Sequence, residues 1–336
     1  MMRTELTPPN RNKGPCAVCG HESLDVFWVR EMQIGLREVF EYGLCDRCEA
    51  ITRLSNINDM ARYYPENYYA FARGAEQPQA KSPRSWIRNR RDRALLTKTM
   101  DPVGRILGQT SQETTRLYRI LGDCQINLSS SILDVGCGSG QLLRRMAEAG
   151  FQNLVGIDLF IPETATFNYG NLKIVRGDLS GIRGRTFDLI MMHHCFEHNG
   201  DPINQLQLAR KLLSKNGLML IRQPLCDSEA FRRYGPHWAQ LDAPRHAIVH
   251  SLRSMKLIVQ QCGLKIKDIV WDSTDQQFWV SEQYANDIPL YSEVSYFCNP
   301  KMSFFTSQQI ARWKREAKRL NACNKGDQAA FYIEMA

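Results

Sequence analysis

The stretch SILDVGCGSGQLLRRMAEAG, residues 131–150, constrains the fold of this chain more than any other. A short apolar run enters a turn with glycine at 136, 138 and 140, and helical spacing resumes at once. Glycine allows positive φ and close approach of a ligand to the backbone. The helix behind the turn points N–H groups and its positive dipole end at whatever the turn holds, which suits a carboxylate. The spacing is GxGxG led by an acid, Asp134. A dinucleotide GxGxxG would need its third glycine at 141, which is Gln141.

The sequence then alternates. NLVGIDL (153–159) reads as a second strand ending in Asp158, 18 residues past Gly140, where a carboxylate can accept both hydroxyls of a ribose. NLKIVRGD (171–178) is a third, ending in Asp178, a place for an exocyclic amine. FDLIMM (187–192) is a fourth, and GLMLIRQP (217–224) a fifth stopped by proline. INQLQLARKLLSKNG (203–217) and SLRSMKLIVQQCG (251–263) read as helices. Ser251 is the expected N-cap of the latter, with Gly263 just past its end. LKIKDIVW and QQFWVSEQY read as two final strands. Such alternation implies a parallel sheet with helices on both faces, and ligands bind beyond the carboxyl ends of its strands.

ILDVGCGSG, GIDLF, RGDL, FDLIMMHHCFEHNGDP and LLSKNGLMLIRQP, together spanning roughly residues 130–225, resemble the class I methyltransferases that use S-adenosylmethionine (SAM). The resemblance implies a Rossmann-like α/β sheet, mostly parallel with the last strand antiparallel. It also implies that Asp134, Gly136, Cys137, Gly138 and Gly140 surround the methionine part of SAM. Asp158 would hold the ribose, Asp178 and Leu179 the adenine, and His193 would lie against the cofactor. The segment LFIPETATFNYGN after Asp158 departs from the family pattern, being short and containing proline. Its second helix is expected to be brief or lost.

Beyond the cofactor, methyl transfer to a hydroxyl needs alignment, exclusion of water and a base. MMHHCFEH (191–198) follows the fourth strand directly. Its Glu197-His198 pair, followed by Asp201-Pro202, resembles the ubiquinone-type O-methyltransferases and their bacterial relatives. Histidine titrates near neutrality, so His198 is the first candidate base, with His194 and His193 as alternatives and Glu197 as a substrate contact. Zinc on His194 and His198, four apart, is disfavoured because the segment leaves a strand and lacks HExxH. GPHWAQLDAPRHAIVHS (235–251) resembles the W..LD.PRH segment of a bacterial subgroup of surface-polysaccharide and specialised-metabolite pathways. There Trp238 can stack on a sugar, Arg245 can bind phosphate, and Asp242 and His246 can contact the acceptor. The equal alternative is a structural loop anchored by Trp238, with Asp242 and Arg245 paired internally.

Cys16-x2-Cys19 and Cys45-x2-Cys48, with 25 residues between the pairs, match a structural four-thiolate Zn2+ site. Zinc ribbons of this kind are fused to methyltransferase domains in the same subgroup. The start MMRTELTPPNRNKG does not read as a secretory signal, and eleven cysteines then suggest a reducing, cytoplasmic setting.

Four regions are expected: a zinc ribbon (1–60), an aromatic and basic helical linker (61–126), the SAM-binding methyltransferase domain (127–285) and a C-terminal helical tail (286–336). The net charge of +8 is mild and does not demand an anionic partner. Residues 81–98 concentrate it: Lys81, Arg84, Arg88, Arg90, Arg91, Arg93 and Lys98 against Asp92. That run reads first as a solvated helix face and second as a peripheral contact with membrane or nucleic acid. In the tail, Thr306 and Gln309 predict a capping box, and Ile310, Trp313, Ala317 and Leu320 an apolar stripe. GDQAAFYIEMA (326–336) is read as an edge strand or a dimerisation element, and the chain as a monomer or homodimer. The expected function is O-methylation of a sugar-containing or lipid-linked small molecule, possible substrates being nucleotide sugars and lipid-linked sugars. The alternative is an RNA-modifying methyltransferase gripping RNA with the ribbon and the basic segment.

Overall fold

The computed structural model describes residues 15–64, 82–99, 101, 104, 106, 113–161, 164–166 and 172–336. Residues 65–81 of the expected linker, which include Lys81, and parts of the segment after Asp158 lie outside the described residues.

One sheet of eight strands organises the chain. In chain order its strands are β4 (Ser131–Val135), β5 (Asn153–Asp158), β6 (Ala165–Thr166), β7 (Leu172–Arg176), β8 (Phe187–His193), β9 (Leu213–Pro224), β11 (Leu264–Trp271) and β12 (Gln328–Met335). Their spatial order is β11-β12-β9-β8-β4-β5-β7-β6. Strands β7, β5, β4, β8 and β9 run parallel, while β12 is antiparallel to both β9 and β11. This is the class I methyltransferase sheet, with the short β6 added antiparallel on the outer edge of β7.

Alternation along the strands builds two cores. Leu133, Val135, Ile190, Met192, Met219 and Ile221 face one side, packed by α4 (Pro202–Leu212) and α6 (Leu252–Gln261). Ile132, Leu154, Leu189, Met191 and Leu220 face the other, packed by α2 (Glu113–Gly122) and α3 (Gln141–Glu148). The helix signals act where the residues predict. Ser251 and Ser254 close a reciprocal capping box on α6, and Gly263 follows it at φ +67°. Asp201 caps α4, ahead of Pro202 at its first position.

Two elements differ from the sequence reading. QQFWVSEQY is not a strand: it lies in α7 (Gln276–Ala285), of which Gln277, Phe278, Trp279, Val280, Ser281, Gln283 and Tyr284 are buried. A helix buried nearly all round has no polar stripe, so its Phe-Trp-Val run imitates a strand. The last strand is instead β12, from GDQAAFYIEMA, the segment read as an edge strand or a dimerisation element. It is an interior strand between β9 and β11, not an edge. Among the described residues no helix lies between β5 and β7. The remaining tail helix α8 (Ser307–Ala322) carries the Thr306/Gln309 capping box and buries Ile310, Trp313, Ala317 and Leu320, as patterned.

The amino-terminal part forms a second sheet, β1 (Leu24–Arg30), β2 (Val39–Cys45) and β3 (Ile51–Arg53). Its fourth strand, β10 (Ile248–Val249), comes from the segment after β9 and pairs antiparallel with β3. The ribbon is therefore stitched into the other end of the chain. Arg53 N–H donates to Ala247 O at 2.9 Å, and Ser251 Oγ to Cys48 O at 2.6 Å. Helix α1 (Pro83–Thr97) packs outside α3 through Arg88–Glu148 at 2.9 Å and Arg145–Asp92. Among the described residues no helix is long and apolar enough to cross a membrane.

Candidate active site

At the carboxyl end of β4 the chain turns sharply. Gly136, Gly138 and Gly140 all have positive φ, at 71°, 52° and 74°. Two of them are sterically obligatory. A Cβ on Gly140 would lie 1.9 Å from Ile174 Cδ1, and one on Gly136 would lie 2.5 Å from Cys195 Cβ. The Gly136 contact seats the turn against the chain leaving β8.

Two carboxylates flank the turn. Asp158, ending β5, accepts N–H bonds from Gly138 (2.9 Å) and Phe160 (2.8 Å). Each oxygen thus has one neighbour in the protein and a lone pair left for a hydroxyl. Asp134 is fully buried one strand over. Burial, with the charge of Asp158 beside it, pushes its carboxyl up to about 8. A buried acid that stays protonated until a cation arrives fits the ammonium or sulfonium of SAM. Asp178 ends β7 and caps the one-turn helix Leu179–Gly181, accepting from Ser180 N at 2.8 Å. Leu179 is buried beside it. His193 closes β8, next to Val135 and Gly136 across the β4–β8 pairing. Both its ring nitrogens are shut from solvent with no hydrogen-bond partner, and burial depresses its pKa to about 3. Donor chemistry, orphaned nitrogens and glycine cradle therefore all suit SAM.

Beyond β8, His194 adopts φ +50°, a left-handed conformation unusual outside glycine. A one-turn helix, Phe196–His198, follows the bend and carries Glu197 and His198. Glu197 is completely buried. Burial alone would raise its pKa, but the His194 hydrogen bond (3.3 Å) and the charges of His246, His194 and His198 hold it down at about 2. His246 Nε2 lies 3.8 Å from Glu197 Oε1 and 3.7 Å from Asp242 Oδ2. Burial, then His198, depresses His246 to about 4 against the pull of those carboxylates. His198 meets His246 edge to face, ring centroids 4.8 Å apart. His198 Nδ1 lies 3.0 Å from Arg245 O, and a carbonyl only accepts, so Nδ1 carries the proton and Nε2 the lone pair.

Two residues of this site had no functional signal in the sequence. Tyr64 places its hydroxyl 3.2 Å from His198 Nδ1, and its ring stacks on Phe160 at 5.3 Å. Phe160 sits two residues past Asp158. A contact spanning 134 residues leaves no local pattern; only the aromatic density of ARYY hinted at it.

The 235–251 segment resolves into scaffold and site. Trp238 is 1% exposed and its indole N–H donates to Asp327, so it offers no face to a sugar. Arg245 is equally buried. It forks onto Asp242 (2.7 and 2.9 Å), reaches Glu31 (3.3 Å) and donates to Tyr63 O (3.2 Å), so it cannot receive a phosphate. Both expected substrate contacts are corrected to structural roles. Asp242 is tied to Arg245 and lies 3.7 Å from His246, which joins the cluster with its ring.

The four cysteines converge. Their sulfurs lie within 4.8 Å of one another, with Cys16–Cys48 at 3.5 Å and Cys19–Cys45 at 3.6 Å, and none is disulfide-bonded. Zinc–sulfur bonds of about 2.3 Å in a tetrahedron separate sulfurs by ~3.8 Å. The donor set fits Zn2+.

Residues 106–269 match a family model described as a methyltransferase domain. A tRNA U34 carboxymethyltransferase of Serratia proteamaculans is 31% identical over 166 residues, covering 44% of this chain and 49% of that protein. A ubiquinone biosynthesis O-methyltransferase of Cereibacter sphaeroides is 31% identical over 100 residues, covering 26% and 39%. The chain spans about half the length of the tRNA-modifying relatives it matches. Among solved structures, a cyclopropane synthase from Mycobacterium tuberculosis aligns at TM-score 0.42 and 16% identity, over 76% of this chain and 99% of that one.

Proposed function

We propose that this chain, whose residues 106–269 match a methyltransferase domain and lie on the class I sheet, uses SAM to methylate a hydroxyl of a small sugar-containing or lipid-linked acceptor. One observation carries the reading: Tyr64, His198, His246 and Glu197 form a continuous cluster reaching the cofactor's expected ribose acid through Phe160. When bound, SAM supplies a methyl already activated on sulfonium. The chain's own part is to seat it with Asp158 and the glycine turn, to exclude water, and to take one proton. His198 Nε2 is the group placed to take it. The Arg245 carbonyl fixes its tautomer, and the His246 ring packs edge to face against its ring. The sugar or lipid class is supported by the resemblance of the ribbon and the PRH segment to surface-polysaccharide and specialised-metabolite enzymes. A cytoplasmic setting accords with this chemistry.

The RNA alternative gains weight from the names of the curated relatives. Against it stands helix α1. Arg88, Arg90, Arg91 and Lys98 pair with Glu148, Asp101, Asp92 and Asp123, and Arg93 donates to Ala149 O. Cations already paired with carboxylates or a carbonyl have less to gain from neutralising phosphates. The same pairing weakens a membrane contact there.

A methyl-transfer screen with labelled SAM tests both. The panel holds nucleotide sugars, lipid-linked sugars, phenols and tRNA. Label on a sugar or lipid-linked acceptor supports the first reading; label on tRNA alone replaces it with the second.

A further inference from the structure

The histidine cluster has a second property besides basicity. Glu197, His198 and His246 each present a donor atom within 4.8 Å of the others. His246 Nδ1 donates to Gln240 O at 2.8 Å, which leaves Nε2 as a lone pair. That lone pair faces carboxylate oxygens, Glu197 Oε1 at 3.8 Å and Asp242 Oδ2 at 3.7 Å. His198 is fixed in the same way, its Nδ1 turned to Arg245 O. Glu197 is fully buried, and its Oε2 has no hydrogen-bond partner among the described residues.

Acceptors therefore face acceptors in a buried space, an arrangement that costs free energy until something positive sits between them. Histidines whose Nδ1 is pinned to a backbone carbonyl, as both are here, have the outer arrangement of metal-bound imidazoles, and His246 adds an Nε2 that faces a carboxylate. Two imidazoles and one carboxylate select a divalent transition ion and leave positions open for other oxygens. Bonds of about 2.1 Å set neighbouring donors ~3.0–3.5 Å apart, so the 3.8 Å contact closes by a fraction of an ångström.

We propose that Glu197, His198 and His246 bind a divalent transition-metal ion, at a site separate from the four cysteines. His194, hydrogen-bonded to Glu197 Oε1, orients the carboxylate without ligating. Binding itself does not depend on the acceptor assignment. Its consequence for turnover does rest on the reading of His198 as base: a metal on Nε2 takes the lone pair that proton removal uses, so the loaded enzyme turns over more slowly.

The test is cobalt titration of the full-length, zinc-loaded chain, followed by visible absorption. One equivalent of Co2+ is expected to give d–d bands without thiolate charge transfer, since the cysteines are already filled. Glu197→Gln and His198→Asn are each expected to weaken binding at least ~10-fold. Unchanged SAM affinity verifies that either variant is folded. The proposal is overturned if no bands appear at millimolar cobalt, if they carry thiolate charge transfer, or if both folded variants bind as the parent does. Cobalt binding with undiminished turnover would leave the metal site standing and remove His198 as the base.

Discussion

The backbone N–H of Gly138 donates to Asp158 Oδ2 at 2.9 Å. Asp158 thereby holds the turn in shape and offers its remaining lone pairs to the ligand. Asp158→Ala removes both. It is expected to lower SAM affinity at least ~100-fold, measured by calorimetry; affinity within a few-fold of the parent would displace Asp158 from the ribose.

Asp134 links cofactor binding to pH. Its carboxyl, pushed up to about 8 by burial and by Asp158, is protonated in the free protein at neutrality. A cationic ligand favours the ionised form, so binding should release about one proton. Affinity then rises with pH up to about 8, at most ~10-fold per unit. Heats of binding in buffers of different ionisation enthalpy measure the proton, and Asp134→Asn should abolish the difference between buffers.

The same residue makes an opposite prediction for stability. The folded chain keeps a proton that the unfolded chain, with an ordinary carboxyl near 3.8, has lost. Its contribution is full below that value and declines as pH rises toward about 8. Asp134→Asn should raise the melting temperature at pH 8, on the order of 5 °C, while costing SAM affinity. No gain at pH 8 would mean that the buried acid is already compensated in the free chain.

Turnover should separate His198 from Arg245. His198→Ala is expected to reduce kcat ~10²–10⁴-fold with SAM affinity preserved, read from single-turnover methyl transfer. Arg245→Met should leave Asp242 and Glu31 buried without their cation and destabilise the fold by about 3–5 kcal/mol in denaturant unfolding. An Arg245 variant of parental stability with a raised acceptor KM would restore it as a substrate contact.

Stripping zinc should reach the acceptor side. Strand β3, just past Cys48, pairs with β10, and Ser251 donates to Cys48 O. Chelation, or Cys45→Ser, is expected to loosen residues 244–251 toward hydrogen exchange and to cut turnover, with SAM affinity kept. Exchange protection there that ignores the metal would uncouple the ribbon from the site.

Local chemistry made the cofactor half legible. Glycines at the three positive-φ positions, acids ending consecutive strands and alternation of apolar residues each follow from near neighbours in the chain. The four cysteines were legible for the same reason: knuckle spacing is a local code. Two readings stayed open where burial was complete. Trp238 and Arg245 are the residues a ligand would want, and also those that anchor a buried loop. Only Asp327, 89 residues away, and Glu31, 214 residues away, distinguish the two roles.

By itself the sequence determined a parallel sheet, a glycine turn with Asp134 and Asp158 beside it, and four cysteines spaced to converge. Tertiary structure decided the acceptor half. It turned QQFWVSEQY into a helix, drew GDQAAFYIEMA into the sheet, and put Tyr64 on His198. It also gathered His198, His246 and Glu197 from two separate segments. The reason is range: backbone conformation and ligand spacing are written within a few residues, whereas pairing across 40 to 200 residues is chosen by which surfaces can be buried together.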